Sequence, residues 1–141
     1  MDAAVELIAE ECPAYDILAP AAQTAPVVLA SPHSGRDYRP EFLKASQLPL
    51  QTLRKSEDCY IDELFGTAPQ LGAPLLRAHF PRAFVDPNRE PFELDPAMFE
   101  GVLPDYVNTT SPRVSAGLGT IARLVTNGEE IYGAKLSFAQ A

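Results

Sequence analysis

The sequence predicts an α/β domain built on a mixed sheet, and three observations predict it. Two short apolar runs, residues 25–30 (APVVLA) and 74–78 (PLLRA), have the length and composition of strands. Between them, residues 57–70 place apolar side chains at helical spacing. Strands alternating with a helix point to a mixed α/β sheet rather than to an all-β or all-α domain.

Composition agrees with a single globular domain: 141 residues, 46% hydrophobic and 21% charged. No apolar run approaches the ~18 residues that a membrane span needs. The start, MDAAVELIAEE, is acidic where a secretory signal would be basic and then apolar. A cytoplasmic location is the expectation. With 19 acidic against 11 basic residues the net charge is −8, a field that repels nucleic acid and anionic membranes, so neither is an expected partner. Cys12 and Cys59 form no closely spaced metal pair and are too few for a disulfide scaffold, which predicts reduced thiols.

Residues 1–24 read as an N-terminal arm, with helical spacing at Ala4, Leu7 and Ile8. Run 25–30 reads as a strand buried on both faces, ended by Ser31-Pro32, which places His33 just past its end. Residues 40–50 are irregular. The helix over 57–70 buries Tyr60, Ile61, Leu64, Phe65 and Ala68, with Ser56 as its N-cap and Gly72 then Pro74 as its stop. Strands follow at 74–78 and 83–85, the latter ending in Asp86-Pro87-Asn88-Arg89. The run REPFELDPAMFEGVLPD is too Pro-rich for regular structure and reads as a long functional loop. GTIARLVTNGEEIY reads as a strand, an Asn127-Gly128 turn and a returning strand, and residues 135–141 as the start of a helix.

In open α/β sheets ligands bind beyond the carboxyl ends of the strands. His33 and the Asn88-Arg89 pair both fall there if their strands run parallel. His33, in a Pro/Gly-walled turn, is either a rigidly aimed metal ligand or a histidine bonded to its own loop. Glu57 and Asp58 are the nearest carboxylates, although a helix dipole favours acids in a first turn whatever else they do. Arg89 has a planar fork suited to a carboxylate, with Asn88 as a neighbouring amide donor; the alternative is a structural arginine paired with Asp86, Glu90 or Glu93. His79 reads as a partly buried loop residue. The glycines of AGLGT lack the third glycine of a dinucleotide loop, and no Gly-x-Ser-x-Gly elbow is present.

Taken in order, SPHSGRDY, SEDCYIDELF, LGAPLLRAHFPRAFVDPNREPFELDPAMF and GLGTIARLVTNGEEIY resemble the N-formylglutamate amidohydrolase family over about residues 26–141. The resemblance implies an α/β/α sandwich around a mixed sheet, similar to zinc carboxypeptidases. It also implies hydrolysis of N-formyl-L-glutamate to L-glutamate and formate, late in histidine breakdown. Carried over residue by residue, it gives His33 as the first metal ligand and Asp58, or else Glu57, as the second, with Zn2+ as the expected metal. Asn88 and Arg89 match the pair that holds a substrate carboxylate, and Arg123 is a candidate for a second carboxylate. Zinc in such a site supplies Lewis acidity and a water whose pKa falls toward ~7.

The resemblance implies a longer protein, whose later part brings a further histidine and the general base. Residues 25–141 are therefore expected to be the N-terminal part of one truncated amidohydrolase domain, inactive alone. Two other readings remain: a related zinc deacylase or carboxypeptidase acting on another N-acyl amino acid, and a non-catalytic remnant that binds carboxylates. All three take a small acidic metabolite, a dicarboxylate in the first. None fixes the oligomeric state.

Overall fold

The computed structural model describes residues 12–140. Its centre is a three-stranded sheet of β1 (Tyr15–Leu18), β2 (Leu29–Ser31) and β3 (Leu75–Ala78), in the order β1-β3-β2. β1 runs antiparallel to β3, with Tyr15 opposite Ala78 and Leu18 opposite Leu75. β2 runs parallel to β3, with Leu29 opposite Leu75 and Ser31 opposite Arg77. The sheet is therefore mixed, as expected. β1 lies within the stretch read as an arm, and an Asp16–Arg77 ion pair across the strands fixes its register. The helical spacing at residues 4–11 lies outside the described residues.

Register sorts the strand residues onto two faces, because paired residues point the same way. Leu18, Leu29 and Leu75 share one face and pack on Ala68 and Ala73. Tyr15, Ile17, Ala30, Leu76 and Ala78 share the other.

The long helix expected over 57–70 is replaced by shorter pieces. Residues 54–56 form a 3-10 turn, Glu57 is extended and Tyr60 takes a left-handed conformation (φ 62°). Only Ile61–Leu64 is α-helical, and a second 3-10 turn covers Ala68–Leu71. Pro69 cannot continue a helix, since its ring removes a donor and clashes with the preceding turn. The apolar stripe also finds little cover: Leu64 is 71% exposed and Phe65 47%. A helix draws most of its stability from packing such a stripe, and of this one only Ala68 is buried. Ser56 thus caps no helix, whereas Gly72 ends the second 3-10 turn at φ 80°, near its expected stop.

Residues 83–85 are likewise a turn rather than a strand, closed by Phe84 and Val85 N–H groups donating to the Pro81 carbonyl. Ala83 is buried there against Phe42, Leu53, Val125 and Ile131. The helices α1 (Pro40–Ala45) and α2 (Leu50–Leu53) bring Phe42 and Leu53 to this cluster. The expected hairpin at 119–132 survives as a tight turn: Leu124 bridges Glu130, and the Gly128 N–H donates to the Val125 carbonyl. The proline-rich run is ordered. Leu94, Met98 and Phe99 from it form a second cluster with Val107 and Ile121, and Tyr132 joins the two. At the end of the chain a 3-10 turn, Phe138–Gln140, stands where a helix was expected to start.

Candidate active site

Because β2 and β3 are parallel, both end on the same side of the sheet, and the loops leaving them meet there. The PHSG turn follows β2, and the loop from His79 to Arg89 follows β3. Gly35 lies directly on the second loop: a Cβ there would stand 2.1 Å from the Phe80 carbonyl oxygen. The Asp37 N–H donates to the His79 carbonyl, which locks the contact. Ser31 and Ser34, both buried, hydrogen-bond each other beneath the turn. A third segment joins through the Asp58 N–H, which donates to the His33 carbonyl at 3.0 Å.

His33, 7% exposed, sits between two carboxylates. Its Nε2 lies 2.8 Å from Asp86 Oδ1 and its Nδ1 3.3 Å from Asp58 Oδ2. Asp86 is buried and also accepts from the Asn88 N–H at 2.9 Å and from Arg82 Nη2 at 2.8 Å. Burial pushes the Asp86 carboxyl up, but the hydrogen bonds from His33, the Asn88 backbone and Arg82 outweigh it and hold the group well below the usual carboxylate range. An ionised carboxylate only accepts, so the proton on Nε2 belongs to the imidazole. In the neutral ring, Nδ1 then presents a lone pair to the Asp58 carboxylate. Two acceptors at that separation need a proton or a metal cation between them.

Glu57 is turned elsewhere. Its side chain is 1% exposed and accepts from the Tyr38 hydroxyl at 2.8 Å and from Arg54 Nε at 3.1 Å. Burial and the bond to Glu57 push the Tyr38 hydroxyl well above its ordinary pKa. Asp58, half exposed, is the acid that faces His33.

Arg89 lies beside Asp86, with Nη2 3.5 Å from Asp86 Oδ2. Its Nε donates to the Leu118 carbonyl and its Nη1 to the Asn88 carbonyl. A guanidinium has five N–H donors, so one on each terminal nitrogen is left for a ligand. The Gly117-Leu118-Gly119 turn thus serves to hand a carbonyl to Arg89. Arg123 is not part of this group: its Nε pairs with Asp95 at 2.8 Å and its Nη1 with Glu130 at 3.1 Å. His79 is a partly buried loop residue, as expected, with Nε2 3.7 Å from Asp16. Cys12 and Cys59 are free and exposed.

Two members of the cluster were not singled out by sequence. From sequence Asp86 reads only as an arginine partner, whereas in the structure it is the group that orients His33. Arg82 reaches both Asp86 and, at 4.0 Å, Asp58. It also lines a cavity of about 330 Å³ with Asp86, Leu118 and Gly119. Its signal was its place four residues before an aspartate in a strand-end loop.

The chain matches the family model for N-formylglutamate amidohydrolase over residues 25–141. It belongs to the N-formylglutamate amidohydrolase family. The chain is also similar to the crystal structure of N-formylglutamate amidohydrolase from Ralstonia eutropha JMP134, with 34% identity and a TM-score of 0.79. That similarity covers 89% of this chain and 44% of the Ralstonia chain, so this amidohydrolase-family chain spans less than half of that relative's length. No curated protein matches it. Among the described residues no helix is long and apolar enough to cross a membrane.

The donor set of this family member fits part of a zinc site. Nδ1 of His33 and the Asp58 carboxylate are an N/O pair of the kind zinc takes, and Asp86 on the far nitrogen is the carboxylate that commonly orients a ligating histidine. No cluster of three or more metal-binding side chains occurs among the described residues, so these two make an incomplete set.

Proposed function

We propose that this chain forms part of an N-formylglutamate amidohydrolase that hydrolyses N-formyl-L-glutamate to L-glutamate and formate, in the course of histidine degradation. The observation that carries the reading is the His33 ring, fixed by Asp86 so that its Nδ1 faces Asp58, in a chain of this family. His33 and Asp58 would hold a divalent metal, zinc by preference. When bound, that metal supplies Lewis acidity toward the formyl carbonyl and a water of lowered pKa.

The rest of the chemistry falls to side chains of this chain. Asp86 keeps the proton of His33 on Nε2. Arg89 offers its two spare N–H groups to a substrate carboxylate, and Asn88, exposed next to it, adds an amide donor. Arg82 places a positive charge at the cavity mouth, where a dianionic substrate must overcome an acidic protein. The substrate role of Arg123 is the less favoured one, because two carboxylates already neutralise it. The complete domain would take the sandwich architecture of zinc carboxypeptidases.

The test is formate release from N-formyl-L-glutamate, measured for the 141-residue chain alone and for the chain joined to the part of the Ralstonia protein outside the match. The chain alone should show no turnover. The joined protein should release formate, and a chelator or His33→Ala should abolish that release. Turnover that survives both would overturn the metal reading, and turnover by the lone chain would overturn its predicted inactivity.

A further inference from the structure

Tyr60 follows Asp58 and Cys59 in a left-handed conformation, with φ 62° and ψ 13°. Such values suit glycine, and for a bulky side chain they are strained. The residue closes a turn in which the Ile61 N–H donates to the Asp58 carbonyl at 3.3 Å, and its own carbonyl accepts from the Glu63 and Leu64 N–H groups. Tyr60 is 52% exposed, so burial does not enforce the strain. Arg36 supplies the restraint. Its guanidinium lies over the Tyr60 ring, 5.2 Å from the centroid, and its Nη2 donates to Asp62 at 3.1 Å and to Glu63 at 3.0 Å. One side chain therefore grips Tyr60, Asp62 and Glu63 together. Arg36 is itself anchored, because it lies in the turn that carries His33, between Gly35 on the Phe80 carbonyl and Asp37, whose N–H donates to the His79 carbonyl. The clamp thus joins the turn that carries His33 to the segment that carries Asp58. Asp58 needs such a device. Its side chain is half exposed, and its contacts are long: 3.3 Å to His33 Nδ1 and 4.0 Å to Arg82 Nη1. The backbone has to aim the carboxylate.

We propose that Arg36 and Tyr60 are positioning residues: Arg36 holds Tyr60 in its strained conformation, and the turn so formed aims the Asp58 carboxylate at His33 Nδ1. The inference rests on the functional reading for the metal, but not for the aiming. Its sign separates it from plain electrostatics. A cation beside a divalent-metal site repels the metal, so on charge alone removing Arg36 tightens metal binding. Loss of the clamp weakens it instead, because the carboxylate is no longer held opposite the imidazole.

The test compares the 141-residue chain with Arg36→Ala, Tyr60→Gly and the double variant, each checked for folding by circular dichroism. Two quantities are read: exchange of the Asp58 amide without metal, and zinc affinity by competition with a chromophoric chelator. Arg36→Ala should speed the exchange and weaken zinc binding, each by about tenfold or more. Tyr60→Gly alone should change either by less than about threefold, since glycine takes the left-handed turn unaided. For the same reason the double variant should return to within about threefold of the parent in both, a recovery that a purely structural arginine would not show. Unchanged or tighter zinc binding in Arg36→Ala, or no recovery in the double variant, would overturn the proposal. Should Arg36→Ala not fold, Arg36→Lys keeps the charge and the stem but not the planar fork, and it is read in its place with the same expectations. Should the parent itself bind no zinc, the amide exchange decides alone. Faster exchange with recovery would then uphold the aiming and count against the metal reading only, and unchanged exchange would overturn the aiming.

Discussion

His33 Nε2 and Asp86 Oδ1 stand 2.8 Å apart with both side chains buried, and this contact ties the loop after β2 to the loop after β3. Asp86 spends its other lone pairs on Arg82 and on the Asn88 N–H, so one carboxylate organises three loop residues. Asp86→Ala would leave His33 and Arg82 without their acceptor. Removing one member of a buried charged pair costs about 3–5 kcal/mol, and urea denaturation of Asp86→Ala should show a loss of that order. Asp86→Asn keeps an acceptor for His33 and should lose less. Equal losses in the two variants would mean that neither the cavity nor the acceptor kept by Asn matters, and that loss of the carboxylate charge sets the cost.

Stability should fall on the acid side. Asp86 is held below its ordinary carboxylate value, against the upward push of burial, by His33, Asn88 and Arg82. Asp16 is held down chiefly by its hydrogen bond to Arg77. A carboxylate with a depressed folded pKa contributes stability that is fully present above the unfolded pKa of ~3.9. That contribution is lost as pH falls below ~3.9 toward the folded value, because the unfolded chain then binds protons first. Denaturation midpoints measured from pH 7 down to the acid limb should stay level and then drop, and Asp86→Asn should make the drop shallower. An unchanged acid slope in that variant would place the titration elsewhere.

Glu57 and Asp58 are neighbours in sequence with opposite environments, and substitution should separate them. Asp58 is half exposed and faces His33, so Asp58→Asn should change stability by no more than about 0.5 kcal/mol. Glu57 is buried under Tyr38 and Arg54, and Glu57→Ala should cost about 1–3 kcal/mol by orphaning their donors. Zinc affinity, read by competition with a chromophoric chelator, should show the reverse order. Asp58→Asn should weaken binding by about tenfold or more, and Glu57→Ala should leave it nearly unchanged. The opposite result would make Glu57 the ligand.

Sequence carried the strands better than the helix, for a physical reason. Val27 to Ala30 and Leu75 to Leu76 are short apolar runs that a sheet accepts wherever it places them, and two of the three strands were legible. β1 was missed because Tyr15-Asp16-Ile17-Leu18 has no signal of its own beyond four residues; its place comes from Arg77, 61 residues from Asp16 in the chain. The helix at 57–70 failed where periodicity met Pro69 and an apolar stripe with little cover. At the site, the turn alone leaves His33 either a metal ligand or a histidine bonded to its own loop, and its pairing with Asp58 comes from the family resemblance; the structure brings the two side chains together. Asp86 and Arg82 were not legible, because their roles depend on which loops meet at the end of a parallel pair of strands.

The meeting of those loops depends on Gly35, and two alanine substitutions can show how. Gly35 needs the absence of a side chain: a Cβ would stand 2.1 Å from the Phe80 carbonyl oxygen and 2.6 Å from that of His79. Gly101 is the useful contrast, since it has φ 72° but no atom within 4 Å of its would-be Cβ. Gly101→Ala should therefore cost only the left-handed strain, about 1–2 kcal/mol, and leave the site in place. Gly35→Ala should cost about 1–3 kcal/mol through the forced separation of two backbones, and that separation carries His33 away from Asp86. Stability alone would not distinguish the two. The His33 Nε2 proton does, because its bond to a buried carboxylate should shield it from exchange and give a resolved imidazole N–H resonance. That signal should persist in Gly101→Ala and vanish in Gly35→Ala. Its survival in both would show that the PHSG turn holds His33 without help from the loop after β3.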